Sequence, residues 1–328
     1  MNDPTPTLEN YFQLMAANGA DHVYRTAVSS GLLDTLAQSP SSASALAEQL
    51  DAQAQPIAML CDVLKTLGVV EHGDGLWRLS PLGDGLLRGP YRTLGDPYWH
   101  HLPEFLQTSE PMAQMDDPAE SEARYQGQAA ALGWMLAPAA SWAAESLAAT
   151  LDAEGKVSIL DAGAGSAIWS LSLAKRLPQA GVTAADWPAV LEVAKATAQR
   201  MGLADRLELM PGDLAEASFP ADSHDVVILA NVAHLMPPDA LGQTLKRLAA
   251  TLRPGGRLVV IDVFPGQAAG DLNRTLYTLG LALRTRAGQT HQPDDVIDLL
   301  HTAGLERGCC TPIEAVPYTL GMVTATKP

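Results

Sequence analysis

Apolar positions in the first 90 residues recur at helical spacing. Tyr24, Val28, Leu32, Leu33 and Leu36 form one stripe, which Gly31 interrupts near its end. The stretch SPSSASALAEQL has a Ser-rich entry followed by Leu46 and Leu50, four apart, so a short capped helix is expected there. Ile57, Leu60, Leu64 and Leu67 predict a third helix, closed by Gly68. VVEHGDGLWRLSP then reads as strand, Gly-Asp-Gly turn and strand. Three helices and a hairpin, in that order, make a winged helix. Residues 91 to about 150 read as helical. From about residue 155 the period changes, and short apolar runs alternate with amphipathic ones. VSILDAGAG, GVTAADWP, RLELMPGD, HDVVILANVAH and GGRLVVIDVFP read as strands. IWSLSLAKRL, VLEVAKATAQRMG, DALGQTLKRLAATL and PDDVIDLLHTAG read as helices, and the last twenty residues offer two further strands. Such alternation predicts an α/β domain with a mostly parallel, doubly wound sheet.

Composition narrows the partners. The chain has 328 residues, 47% apolar and 18% charged, which is enough apolar material for a sizeable core. Its 21 Lys and Arg against 37 Asp and Glu leave a formal charge of −16, a surface that repels phosphate backbones and anionic membranes. The third helix, where a DNA-reading winged helix carries several basic groups, has one lysine and no arginine in QPIAMLCDVLKTLG. A dimerisation or lid role is therefore expected for this region, with no nucleic-acid partner. No run approaches the ~18 apolar residues of a membrane span. MNDPTPTLENYF has no basic segment leading into an apolar one, so a cytoplasmic protein is expected. Cys61, Cys309 and Cys310 are too few for a disulfide framework and lack zinc-site spacing, so reduced thiols and no metal site are expected. Only 5% of the chain is aromatic, yet residues 91–150 hold Tyr98, Trp99, His100, His101, Phe105, Met112, Trp134, Met135 and Trp142. That concentration suits helix packing or an apolar wall for a flat organic substrate.

The candidate chemistry follows the strands. Leu160-Asp161-Ala162-Gly163-Ala164-Gly165-Ser166 is a glycine loop directly after an apolar strand, where a backbone can turn sharply and approach a ligand. Asp186 ends the next strand, 25 residues after Asp161, where a carboxylate can take both hydroxyls of a ribose. Asp213 closes the third strand, and Asn231 to His234 end the fourth. Acidic groups at the carboxyl ends of successive strands build a crevice suited to adenosine. A nicotinamide dinucleotide fits less well, because its fingerprint wants glycine at position 168 and Ile168 stands there.

LDAGAG, ADWP, PGDL, ANVAHLM and RPGGRLVVIDVFP together resemble the ordered motifs of class I S-adenosylmethionine-dependent methyltransferases. ADWP and the fourth-strand histidine more narrowly resemble the caffeic-acid and hydroxyneurosporene type of small-molecule O-methyltransferase, which includes bacterial antibiotic-pathway enzymes. The resemblance implies a Rossmann-like seven-stranded methyltransferase sheet behind an N-terminal helical, winged-helix dimerisation domain. It implies three regions: a dimerisation domain over 1–90, a helical substrate lid over 91–150 and the cofactor domain over 151–328. S-adenosylmethionine is the implied cofactor, S-adenosylhomocysteine its product, and a homodimer the implied assembly.

Carried over by position, the cofactor set begins at Asp161. Gly163 and Gly165 would approach the methionine moiety, Asp186 would hold the ribose with Trp187 beside it, and Asp213 would meet the adenine amino group with Leu214 packed on the ring. Ala230 falls at a cofactor-contact position and offers only backbone. His234 matches the family's general base, and Asp262, at the end of the next strand, matches the acid that holds it; a carboxylate on one ring nitrogen fixes the tautomer. Met135, Trp134, Trp99 and Phe105 would clamp the acceptor, with His100 or His101 as polar contacts. The family's His-Asp-Trp is His234-Leu235-Met236 here, and its second acid is missing from Arg286-Ala287-Gly288-Gln289-Thr290-His291. His291 either substitutes for that acid or caps the helix begun by Pro293. Methylation of a phenolic or enolic hydroxyl is the leading expectation. A scaffold that binds the cofactor without moving methyl, methylation at N, S or C, and a cofactor-sensing regulator are the alternatives.

Overall fold

The computed structural model describes residues 8–113, 115, 118–151, 155–265, 272–317 and 319–328. The chain divides into two compact units, one ending at Asp96 and one beginning at Pro97.

The first unit is built from α1 (Leu8–Ser29), α2 (Leu32–Gln38), α3 (Ala43–Gln49), α4 (Ala54–Thr66), a hairpin of β1 (Val70–Gly73) and β2 (Leu76–Leu79), and α5 (Pro81–Arg88). Gly31 takes a left-handed φ of 78° and turns the chain between α1 and α2. Ser42 caps α3 by accepting from the Ala45 N–H, as the Ser-rich entry predicts. Asp74 and Gly75 both have positive φ, the turn chemistry of a two-residue hairpin. Tyr24, Leu32, Leu33, Leu36, Leu46, Ile57, Cys61 and Leu64 close the core of this winged-helix order.

The second unit begins with the short helices α6 (Asp96–His100) and α7 (Leu102–Thr108) and the long α8 (Pro118–Ala148). Then β3 (Ser158–Ala162), α9 (Ile168–Arg176), β4 (Gly181–Asp186), α10 (Pro188–Met201), β5 (Leu207–Pro211), β6 (His224–Ala230), α11 (Pro238–Thr251) and β7 (Leu252–Val263) alternate. The chain finishes with α12 (Leu272–Ala282), α13 (Pro293–Thr302), β8 (Glu306–Pro312) and β9 (Leu320–Thr326). The seven strands lie in the order β5-β4-β3-β6-β7-β9-β8. Pairing is parallel from β5 through β7, and β9 runs antiparallel to both its neighbours.

Both sheet faces are covered, which is why the central strands read as unbroken apolar runs. Ile159, Ile228 and Val259 turn to one face with Ala139, Ala143 and Leu171, while Leu160, Leu229 and Val260 turn to the other with Leu241, Leu248 and Leu300. The strand order reverses beside β3, so the connections that leave β3 and β6 run to opposite faces of the sheet and leave a crevice at the carboxyl ends. Among the described residues no helix is long and apolar enough to cross a membrane.

Candidate active site

A cavity of about 260 Å³ opens at the carboxyl ends of the strands. Gly163, Gly165, Asp186, Trp187, Asp213, Leu214 and Ala230 line it, so seven residues scattered over nearly seventy positions converge on one space. The glycine loop folds back over β4: the Gly163 and Ala164 N–H groups both donate to the Ala185 carbonyl. Gly163 has φ of 71°, and a Cβ there would lie 2.7 Å from Val232, so only glycine fits. The Gly165 N–H donates to Asp186 Oδ2 at 2.7 Å, and the Trp187 N–H donates to Oδ1 at 2.7 Å. Each carboxylate oxygen keeps accepting capacity toward the cavity. Burial pushes the Asp186 carboxyl upward; the two N–H bonds oppose this, and the negative Glu122 and Asp213 nearby add to it.

Asp161 is placed differently from its sequence-based assignment. It is buried at 1% exposure inside β3, is absent from the cavity wall, and accepts from the Ser170 hydroxyl at the start of α9. Burial pushes its carboxyl up to about 7, opposed by Ser170 and reinforced by Asp186. Asp161 thus supports the loop from beneath. A strand alternates its faces, so a residue two before the first glycine points into the helical layer rather than the crevice.

His234 lies on a single helical turn after β6 and is almost buried. Its Nδ1 sits 2.8 Å from Asp262 Oδ1 and 3.0 Å from Oδ2, and its backbone N–H donates to Oδ2. The carboxylate can only accept, so Nδ1 carries the proton and Nε2 presents a lone pair. The Tyr277 ring meets the imidazole edge-on at 5.7 Å. The loop around His234 is held from several sides. The Asn231 N–H donates to the Ile261 carbonyl, and the Gln289 N–H donates to the His234 carbonyl. His291 Nε2 reaches the carbonyls of Ala233 at 3.0 Å and Met236 at 3.1 Å. His291 therefore braces the backbone of this loop, and, like His234 and Asp262, it is not among the residues that line the cavity, which in this loop are Val232, Leu235 and Met236.

None of the residues expected to form the acceptor wall lines this cavity. Trp134 and Met135 are 46% and 37% exposed and do not line the cavity. The opposite stripe of α8 lines it instead, through Tyr125, Ala129, Leu132, Gly133 and Leu136, joined by Met115 and Trp169. Gly133 approaches Ser166 so closely that a Cβ would lie 2.4 Å from its hydroxyl oxygen. Phe105 borders a second cavity of about 210 Å³ with Thr285, Arg286 and Gly288. Trp99 is half-buried with its indole edge against Gly280, and His100 is exposed on α6. The spacing 125, 129, 132/133, 136 is a helical stripe of mostly small or apolar residues, and that periodicity was the available signal for it.

A family profile described as a methyltransferase domain matches residues 159–256, the span from β3 to the turn within β7. Demethylspheroidene O-methyltransferase of Rhodobacter capsulatus is 23% identical over 295 residues, covering 86% of this chain and 72% of that protein. Mitomycin biosynthesis 6-O-methyltransferase of Streptomyces lavendulae is 27% identical over 318 residues, covering 90% of this chain and 88% of that one. The solved structure of human N-acetylserotonin methyltransferase in complex with S-adenosylmethionine superposes with a TM-score of 0.72 at 22% identity, over 100% of this chain and 99% of that one.

Residues 159–256 are a methyltransferase domain, and the enzyme is an S-adenosylmethionine-dependent methyltransferase.

The cavity of this methyltransferase fits its cofactor. Asn231 lines it, and Asn231 Oδ1 is buried without a partner among the described residues, a cost that a ligand donor removes. The glycine cradle, the two half-used oxygens of Asp186 and the Trp187 ring supply complementary surfaces for a charged nucleoside.

Proposed function

We propose that the enzyme methylates a hydroxyl of a small aromatic metabolite, with His234 as general base and Asp262 as its orienting acid. The cofactor, when bound, supplies a methyl group on a positively charged sulfur. Asp186 would hold the ribose, Trp187 and Leu214 would flank the base, Asp213 would meet its amino edge, and Gly163, Gly165 and the Ala230 backbone would face the methionine end. Leu132, Leu136 and Met236 give the far end of the cavity an apolar lining. Most of the rate would come from holding the acceptor oxygen in line at near-attack distance.

One observation carries the reading: the bifurcated contact of His234 Nδ1 with both oxygens of buried Asp262, which leaves Nε2 as a base. A phenol titrates near ~10, so a base at the reacting oxygen raises the fraction that attacks. The names of the relatives agree with it: the mitomycin and demethylspheroidene enzymes are both O-methyltransferases of small molecules. The reading includes a homodimer formed through α1, whose Leu8, Tyr11, Phe12 and Met15 form an exposed stripe.

Incubation of the enzyme and S-adenosylmethionine with a panel of hydroxylated aromatics, followed by mass spectrometry, tests the proposal. A product heavier by one methylene and a loss of about 10²–10⁴ in turnover for His234→Ala are expected. Cofactor affinity by calorimetry should be unchanged in that variant. Full turnover by His234→Ala rejects the base assignment, and a product of altered structure without the mass gain favours a scaffold that moves no methyl.

A further inference from the structure

We infer that Glu122 on α8 is a cofactor-positioning residue: it caps α10 from a distance and so fastens the roof of the cofactor cavity to the turn that holds the ribose and adenine. This inference rests on the cofactor lying in the crevice described above.

The argument starts at the N-terminus of α10. Its N-cap residue is Trp187, whose side chain makes no capping hydrogen bond, and its first residue is Pro188, which has no N–H. The first free donor of the helix is therefore the Ala189 N–H. Glu122 Oε1 accepts it at 3.0 Å, from 67 positions earlier in the chain. An ordinary capping residue at 187 would satisfy the helix locally, but that position is occupied by an indole that faces the cavity. Capping is thus delegated to another element, and the hydrogen bond ties the two elements together.

The contact lies in register with the rest of the roof. One helical turn beyond Glu122, Tyr125 brings its ring to 6.0 Å from that of Trp187, and both line the cavity. Two turns further, Gly133 closes on Ser166 of the glycine loop. Glu122, Tyr125, Ala129 and Gly133 share one face of α8, so the helix touches both loops that grip the cofactor. Glu122 also adds negative charge beside Asp186, which favours a cationic ligand over a neutral one.

Two substitutions separate the contributions. Glu122→Gln keeps an oxygen that accepts the Ala189 N–H, whereas Glu122→Ala removes it. Calorimetric titration of each purified enzyme with S-adenosylhomocysteine, paired with stopped-flow release, reads the effect without turnover. Glu122→Ala is expected to weaken S-adenosylhomocysteine binding about tenfold, mainly through faster release. Glu122→Gln should stay within about threefold of the parent. A loss of melting temperature in Glu122→Ala with unchanged affinity would assign a structural cap only and overturn the inference. Equal loss in the two variants would overturn the hydrogen-bond account. If Glu122→Ala does not fold, Glu122→Asp, too short to reach Ala189, takes its place with the same expected loss. Failure of the parent enzyme to bind S-adenosylhomocysteine would instead defeat the cofactor reading itself.

Discussion

Two buried polar residues near the cavity act through what they hold. Asp161, pushed up to about 7 from an ordinary value of 3.8, binds its proton more tightly folded than unfolded. Stability therefore falls as pH rises from about 4 to 7 and is constant above, because the unfolded chain releases the proton first. Asp161→Asn mimics the protonated form. It should raise the melting temperature at pH 8, by the equivalent of a few kcal/mol at most, and leave it unchanged at pH 4. A gain of equal size at both pH values would contradict the burial argument. S-adenosylmethionine affinity should survive the change, since Asp161 lies outside the cavity wall. His291 holds the loop that carries His234 by two carbonyls. His291→Ala leaves both without that donor, at about 1–3 kcal/mol. It should lower kcat more than it alters the cofactor Kd, a split that steady-state kinetics and calorimetry read separately. The sequence marked His291 as a stand-in for the family's missing acid or a cap on the helix begun by Pro293, and spacing did not disclose the brace on the loop. The brace depends on which way one ring turns.

Strands and helices of the second unit were legible because the apolar period changes from helical to continuous at residue 155, and the carboxyl-end residues Asp186, Asp213 and His234 followed from strand order. The lining of α8 was not. Trp134 and Met135 stand out in the sequence because large side chains are scarce, whereas the residues that meet the glycine loop are small. A glycine inside a helix costs about 1 kcal/mol relative to alanine. Gly133 therefore needed a reason, and the close approach of Ser166 supplies it. Gly133→Ala would place a Cβ 2.4 Å from the Ser166 hydroxyl and force helix and loop apart. Weakening of S-adenosylmethionine binding by tenfold or more is expected in spite of the better helix propensity. Ser166→Gly removes both atoms in the way, so the double variant should recover most of the affinity; a strictly additive double-mutant cycle would show that the two sites do not touch.

For the molecule as a whole, charge and apolar surface pull in opposite directions. A chain with formal charge −16 repels its own copy. Yet α1 exposes Leu8, Tyr11, Phe12 and Met15 at 76%, 57%, 61% and 52%, spaced three and four apart along one helical face. The helical period was readable in the sequence; that the first turns of α1 are exposed on every side among the described residues was not, because periodicity alone does not say which stripe a core consumes. If the stripe is the core of a homodimer contact, association is driven by apolar burial and opposed by long-range repulsion. Added salt screens the repulsion, with a Debye length near ~10 Å at 0.1 M, and leaves the apolar term intact or strengthened. Sedimentation equilibrium should therefore show a dimer whose dissociation constant falls as sodium chloride rises from about 0.05 to 0.5 M. Replacing Phe12 and Met15 together by glutamate should give a monomer at every salt concentration, with the melting profile of its second unit unchanged. A parent chain that sediments as a monomer at high protein concentration and high salt would remove α1 as an interface, while leaving the cofactor cavity and its chemistry untouched.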